Sequence, residues 1–538
     1  VSLSPHARRT AGAVLVVALA AVVLAACTGS GSGSAPGSTA APPGPNTVTI
    51  LAGSELQDLA PIVPRIERDT GLDIRFGYAG SLNGADQIAH GTSEDFAWFA
   101  SGNYLALAGA STKILAKTSI ALSPVVMGVR QSLAARWGWA SNPNVTWQDV
   151  ADKAASGQLK YAMTNPASSN SGFSALVGVA SAYAGTGNAL TTSDIDVAGL
   201  KRFFSGQALT AGSSGFLADA FVRSQDSLGG LINYESVLLS LNASRRLREP
   251  LTLIYPKDGI VTADYPLMLL NQAKRTQYDK LVAELRTPAI QRWLMTRTNR
   301  RPVIPQVHPD ARFPSSVLVE LAFPSSIDVV RSLLDTYLNE IVPPSNAIFV
   351  LDTSGSMDGA RLDSLKDAMT GLAGLDTSLT GTFAQFRNRE DVTIITFSSA
   401  VEDVEHFSVS GTDPNSPERV AIRAYIDSLS AGGNTAIYSA LARAYAEALT
   451  SLARDPSRLT SIVLMTDGEN NSGMSSNAFL TFLHALPPEA RRVRTFPVLF
   501  GDADPAALHQ VAAVTGGTVF DSRSASLADV FKEIRGYQ

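Results

Sequence analysis

The chain has 538 residues, too many for one hydrophobic core and suited to two or three domains. Hydrophobic residues make up 45% and charged residues 17%, so the surface is lightly charged, and a net charge of -5 offers no basic footprint for nucleic acid. The single cysteine, Cys27, excludes an internal disulfide framework and any cysteine-based zinc site.

Arg8 and Arg9 precede an uninterrupted apolar run that ends at Cys27, the outline of a signal peptide. The run is too short for a membrane-spanning helix, which needs about 20 apolar residues. Its end, Leu24-Ala25-Ala26-Cys27, resembles the bacterial lipobox, in which cleavage leaves the cysteine as a lipid-bearing N-terminus. That resemblance implies a lipoprotein signal peptide over residues 1–27 and lipid anchoring through Cys27 on the extracytoplasmic face of the cell membrane. The Arg8-Arg9 pair leaves export by the general or the twin-arginine route open. Residues 28–46 are Gly, Ser, Ala, Pro and Thr with almost nothing else, a flexible tether whose root-mean-square span is about 25 Å.

Order is expected from residue 47. Thr47-Val48-Thr49-Ile50-Leu51 reads as a strand, and Leu56, Leu59, Ile62, Val63 and Ile66 as one amphipathic helix. A second strand, Leu72-Asp73-Ile74-Arg75-Phe76, runs into Gly80-Ser81 and another helix. Such strand–loop–helix repeats imply a parallel or mixed sheet. The apolar run 122–129 contains Pro124, which suits a crossover between lobes better than a central strand. Residues 251–256 are expected to return to the first lobe. Trp147-Gln148-Asp149-Val150 and Ser171-Gly172 each lead a helix.

This order, spanning residues 47–343, resembles extracellular solute-binding proteins, whose two α/β lobes are joined by a hinge. The resemblance implies a cleft met by loops and helix starts from both lobes, where free N–H groups favour oxygen anions. Mapped here, the candidates for a small-molecule or oxyanion ligand are Ser54, Gly80, Ser81, Ser169, Ser171 and Gly172, with Tyr234 and Glu235 at the rim. Glu235 would repel an anion, which leaves the sign of the ligand open. A helical pattern from Ser326 ends at Pro343-Pro344, a natural boundary.

Residues 344–538 begin with the apolar run Ala347-Ile348-Phe349-Val350-Leu351, which breaks into Asp352-Thr353-Ser354-Gly355-Ser356 ahead of a helix. The loop offers a carboxylate and two hydroxyls, hard oxygens suited to Mg²⁺ or Mn²⁺ rather than zinc. Gly432-Gly433-Asn434-Thr435 then precedes a long helical pattern, and Ile462-Val463-Leu464-Met465 ends at Thr466-Asp467-Gly468. Val392-Thr393-Ile394-Ile395-Thr396-Phe397 and the stretch 494–500 supply further strands, five or six in all. Asp352, Ser354, Ser356, Thr435 and Asp467, in this order and context, resemble the metal-ion-dependent adhesion site of von Willebrand factor A (VWA) domains. The resemblance implies a doubly wound, Rossmann-like domain, a divalent cation (Mg²⁺ or Mn²⁺), and a protein partner that offers an Asp or Glu carboxylate to the metal.

The expected fold is therefore α/β, with a two-lobed periplasmic-binding-protein-like domain followed by a VWA domain. The expected function is binding at the cell envelope, not catalysis, with membrane contact through the lipid and no nucleic-acid partner. A substrate-binding receptor of an ABC importer is the alternative. A metal-dependent hydrolase ranks below both, because no G-x-S-x-G, no G-x-x-x-x-G-K-[ST] and no H-E-x-x-H occurs and the six histidines are scattered.

Overall fold

The structure is a computed structural model that describes residues 44–107, 109–185, 187–314, 318–523 and 526–538. The signal peptide, Cys27 and most of the 28–46 tether lie outside the described residues. The first lobe starts with β1 (Thr47–Gly53), β2 (Asp73–Ala79), β3 (Phe96–Trp98) and β4 (Ala116–Ser119). The chain then crosses to β5 (Ser123–Arg130), β6 (Tyr161–Thr164), β7 (Gln207–Ala211), β8 (Gly230–Tyr234), β9 (Leu251–Ile254) and β10 (Thr262–Ala263). It returns with β11 (Pro266–Leu269), which gives the sheet orders β2-β1-β3-β11-β4 and β10-β5-β8-β6-β7, with β9 also on β5. In β1, Val48, Ile50 and Ala52 on one face and Leu51 and Gly53 on the other are buried, as expected where helices cover both faces of a parallel strand.

Three local expectations are corrected. The apolar spacing from Leu56 to Ile66 does not make one helix: a 3-10 segment, Ser54–Leu59, is followed by a separate helix, Val63–Thr70. Pro61 and Pro64 have no N–H to give to the carbonyls of Gln57 and Ala60, so the ladder cannot run through, and Pro64 instead sits in the first turn of the new helix. The run 122–129 is strand β5, paired on both sides. Pro124 is its second residue, next to the two-residue strand β10, and the first donor after it, Val125 N–H, bonds Val261 O at 3.0 Å. The crossing lies just before it. The stretch 251–256 also stays in the second lobe, where β9 pairs with β5, and β11 makes the return.

The C-terminal sheet contains β12 (Ser345–Asp352), β13 (Glu390–Phe397), β14 (Val401–Val409), β15 (Leu459–Thr466), β16 (Arg494–Leu499) and β17 (Phe520–Asp521), in the order β14-β13-β12-β15-β16-β17. All neighbours are parallel except the β13/β14 hairpin. Alternate residues of β12 face opposite layers. Phe349 and Leu351 pack with the helices Ala360–Thr370 and Leu527–Arg535, while Ile348 and Val350 pack with Ile437–Arg454. Strand order reverses between β12 and β15. Loops at the carboxyl ends of such strands form the ligand crevice of doubly wound sheets.

The Pro343-Pro344 boundary separates two sheets, but contacts cross it. Asn388 N–H bonds Asn339 Oδ1 at 3.1 Å and the Arg389 guanidinium bonds Asn339 O at 3.0 Å. Phe383 of the second domain packs into the hydrophobic core of the first. Residues Asn46–Gln538 accordingly form one compact unit.

Candidate functional site

The parallel register sets Leu351 beside Met465, so Asp352 and Thr466, the next residue on each strand, are neighbours. Both Asp352 oxygens are engaged: Oδ1 accepts from Ser354 N–H at 2.8 Å and Oδ2 from the Thr466 hydroxyl at 2.5 Å. A chain of contacts continues from there. Ser354 Oγ lies 3.2 Å from Ser356 Oγ, which donates to Asp467 Oδ1 at 2.7 Å.

Thr435 comes from a third loop, which is zipped to the first by Gly355 N–H to Gly433 O at 3.0 Å and Gly432 N–H to Thr353 O at 2.8 Å. Gly433 has φ +81, and a side chain there would meet the hydroxyls of Ser398 and Ser399, so glycine is required. Asn471 fixes the Thr435 backbone, accepting its N–H at 2.7 Å and donating to its carbonyl at 3.0 Å. A Cβ placed on Gly468 would stand 3.7 Å from both Ser356 Oγ and Thr435 Oγ1, which shows how near these two hydroxyls are to the same point. All five expected residues thus meet at the switch point.

Asp352 and Asp467 are both 0% exposed. Burial raises the Asp352 pKa against the opposing hydrogen bonds of Ser354 and Thr466, and the Asp467 charge adds to the rise. One cation is present, and it is shared. Arg361 donates to Asp467 Oδ2 at 2.5 Å and to Asp502 Oδ2 at 2.8 Å. Sequence reasoning missed Arg361, Thr466 and Asn471; the only signal was their position next to strand-end loops. Among the described residues no group of three or more His, Cys, Asp or Glu could hold a metal, so any ion here depends on the hydroxyls. Two buried carboxylates, three hydroxyls and one shared guanidinium make an all-oxygen, under-neutralised donor set, which fits a hard divalent cation.

The first domain's candidates behave differently. Ser169, Ser171 and Ser214 bring their hydroxyls together with Thr164, at 3.3, 2.7 and 2.8 Å from Ser171 Oγ for Ser169, Ser214 and Thr164 respectively, and all four are buried. A Cβ on Gly172 would meet Thr164 O at 2.3 Å, so this glycine serves helix–strand packing. Ser81 opens the helix Ser81–His90 and is buried, while Ser54 is half-buried at the start of its 3-10 segment. Tyr234 and Glu235 are not at a rim. They are 1% and 0% exposed, Tyr234 accepting from Asn170 Nδ2 at 3.2 Å. Glu235 is held by Arg301 through two 2.7 Å bonds and by the Tyr255 hydroxyl at 2.5 Å. A carboxylate paired in this way is structural.

Gly80 does reach the cleft, where a Cβ would stand 2.8 Å from Ser168 O of the opposite lobe. Gly80, Asn83, Asn165 and Ser168 line a cavity of about 30 Å³ at the cleft from the first domain. That volume holds about two waters. Its other wall belongs to the second domain: Thr380, Phe383, Lys532, Glu533 and Gly536. The Thr380 hydroxyl donates to Asp86 Oδ2 at 2.6 Å, and Lys532 lies 2.7 Å from Asp376 and 3.9 Å from Asp86. At Gly536 a Cβ would approach Ser168 Oγ to 2.7 Å and Gly212 Cα to 2.9 Å, so only glycine lets the chain end of this helix seat against the lobe. The Glu533 carboxyl has no ion-pair partner among the described residues, and burial raises its pKa to about 7.

Residues 48–296 match the family model of bacterial extracellular solute-binding proteins, and residues 346–533 match that of the von Willebrand factor type A domain. Inter-alpha-trypsin inhibitor heavy chain H3 of Homo sapiens is 32% identical over 139 residues, 25% of this chain and 14% of that protein, so this chain spans only a small part of its length. Among solved structures, a von Willebrand factor type A protein from Catenulispora acidiphila is 20% identical, covering 36% of this chain and 42% of its own, with a TM-score of 0.29. The sulfate-binding protein SubI from Mycobacterium tuberculosis H37Rv is 19% identical, covering 54% of this chain and 96% of its own, with a TM-score of 0.41. The chain thus carries a periplasmic-binding-protein-like domain followed by a Rossmann-like VWA domain.

Proposed function

We propose that the chain is a lipid-anchored protein of the cell envelope whose VWA domain binds a protein partner through a divalent cation, Mg²⁺ or Mn²⁺, while the solute-binding-like domain carries it. The observation that supports this reading is the convergence of Asp352, Ser354, Ser356, Thr435 and Asp467 at the strand-order reversal, with Ser356 exposed at the surface. Ser354, Ser356 and Thr435 would hold the ion with neutral oxygens, and Asp352 and Asp467 would balance its charge. When bound, the ion supplies a hard Lewis-acid position for a carboxylate of a partner Asp or Glu. Asp352 is fully committed to Ser354 and Thr466, and Asp467 to Ser356 and Arg361, which disfavours either as the general base of a hydrolase. Titrating MgCl₂ or MnCl₂ into the purified chain should give saturable heat for one site, reversed by chelator. A flat titration with both ions would defeat the reading.

The import-receptor alternative needs a cleft that admits solute. In the docked arrangement the cleft keeps about 30 Å³, closed from the other side by the VWA domain, which favours a carrier role for the first domain. Anchoring rests on Leu24-Ala25-Ala26-Cys27. Acyl chains contribute about 0.8 kcal/mol per buried CH₂, so durable anchoring takes more than one chain. Cys27→Ser should abolish metabolic labelling by a fatty acid; equal labelling of the variant would rule the lipid site out.

A further inference from the structure

Strands β15 and β16 begin at the end of the VWA sheet opposite the switch-point site, and there they face β7, the edge strand of the second lobe. Between them lies a cavity of about 380 Å³. This is within the range of small-molecule sites. Its charged side chains are mostly cationic: Arg387, Arg458, Arg492 and Arg494 against the single side-chain carboxylate of Glu489. Arg458 is already neutralised, 3.3 Å from Asp391 and 3.5 Å from Asp455. Arg492 and Arg494 form no ion pair among the described residues, and the charge closest in effect to Arg494 is another cation, Arg223.

Arg387 is the most constrained of the four. It is 6% exposed, and its terminal nitrogens donate to the main-chain oxygens of Gln538 and Arg535 at 2.9 and 3.0 Å. The Glu390 carboxylate, which acts on Arg387 through charge, is taken up by two 2.7 Å bonds from Arg535, and Arg387 Nε has no partner among the described residues. Burial, and then repulsion by Arg535, lower the Arg387 pKa to about 10. Thr460 Oγ1, also in the lining, is buried without a partner. Buried polar atoms are normally satisfied, so orphaned donors beside unpaired guanidiniums point to a missing acceptor with negative charge.

We propose that this cavity is a binding site for a small organic phosphate, held by Arg387, Arg492 and Arg494 and the Thr460 hydroxyl. Two or more unpaired guanidiniums match a dianion better than a single carboxylate, and their planar forks suit phosphate oxygens. The cavity is far larger than an inorganic ion, and Phe204, Tyr337 and Phe496 offer apolar surface for an organic moiety. Because β7 forms one wall and β15 and β16 the other, the ligand touches both domains and strengthens their association by mass action.

The test is calorimetric titration of inorganic pyrophosphate, which carries the recognised group alone, into the full chain. Chelator is included so that no divalent ion competes, and sodium chloride at matched ionic strength is the control. Saturable binding is expected in the wild type, and Arg494→Gln should weaken it at least about tenfold, the loss of one charge-assisted hydrogen bond. Since the Arg494 side chain has no ion pair among the described residues and its nearest charge in effect is the like-charged Arg223, the variant should melt no lower than the wild type without ligand. Absence of saturable binding to the wild type, or equal affinity in Arg494→Gln, overturns the proposal.

Discussion

Asp352→Ala should abolish divalent-cation binding while leaving the metal-free protein close to wild-type stability. The two halves of this expectation come from one side chain. In the metal-free protein the carboxylate accepts from Ser354 N–H and the Thr466 hydroxyl, and stranding those donors costs about 1–3 kcal/mol. Against this, the substitution removes a buried carboxylate whose ionisation is opposed by burial and by Asp467. The two effects are of opposite sign, so the metal-free melting temperature should move little. With metal the balance changes completely. Asp352 contributes one of only two negative charges in the donor set, and Arg361 already engages the other on Asp467. Removing it leaves an ion facing three hydroxyls and one carboxylate held by a guanidinium. Binding should fall by well over the roughly 10–100-fold typical of lost outer-shell partners. Thr435→Ala removes only a neutral oxygen, so it should keep measurable metal affinity yet impair capture of a carboxylate-bearing partner. Wild type and Asp352→Ala binding Mn²⁺ with equal affinity in the same calorimeter would mean that these five residues are not the metal site.

The adhesion-type constellation was readable because each of its members sits where a local pattern changes. Apolar runs stop at Asp352 and at Thr466-Asp467, and a glycine pair precedes Thr435, so loops at strand ends and a helix start were visible without any long-range information. What escaped was set at a distance. Glu235 looked like a rim residue because its partner, Arg301, lies 66 positions away and nothing near it announces a buried ion pair. Strand β14 went unread because its residues 401–409 are mostly half-buried or exposed and carry four charged or imidazole side chains between the valines, the usual dress of a sheet edge. Pro124 misled for a related reason. A proline forbids a central strand only where its missing donor would have been used, and opposite β10 it falls at the strand start. The filling of the cleft had no sequence signal at all, since Thr380, Phe383 and Gly536 are unremarkable in a VWA domain until the two domains are seen together.

That filling makes the association of the domains sensitive to protons. Glu533 stands in the wall of the 30 Å³ cavity, and the charged groups around it are committed elsewhere: Lys532 to Asp376 and Asp86, Arg535 to Glu390. With no partner, its buried carboxyl favours the neutral form, and its pKa rises from the ordinary 4.5 to about 7. The sign follows directly. A carboxyl whose pKa is raised in the folded, docked chain leaves that state at full strength below pH 4.5. The advantage is then lost as pH rises, and the loss is complete above about pH 7. Its size is roughly 3.5 kcal/mol at most, since each pKa unit is about 1.4 kcal/mol. Between about pH 5 and pH 8, the segments around Gly80 and Asn165 should therefore lose hydrogen-exchange protection, after correction for intrinsic exchange rates. Glu533→Gln should hold that protection constant across the range. His90 lies 3.6 Å from Asp86 near this face, and the Glu533→Gln variant leaves that contact in place. If the wild type shows the same corrected protection at both ends, or Glu533→Gln loses it as the wild type does, the carboxyl does not govern the docking.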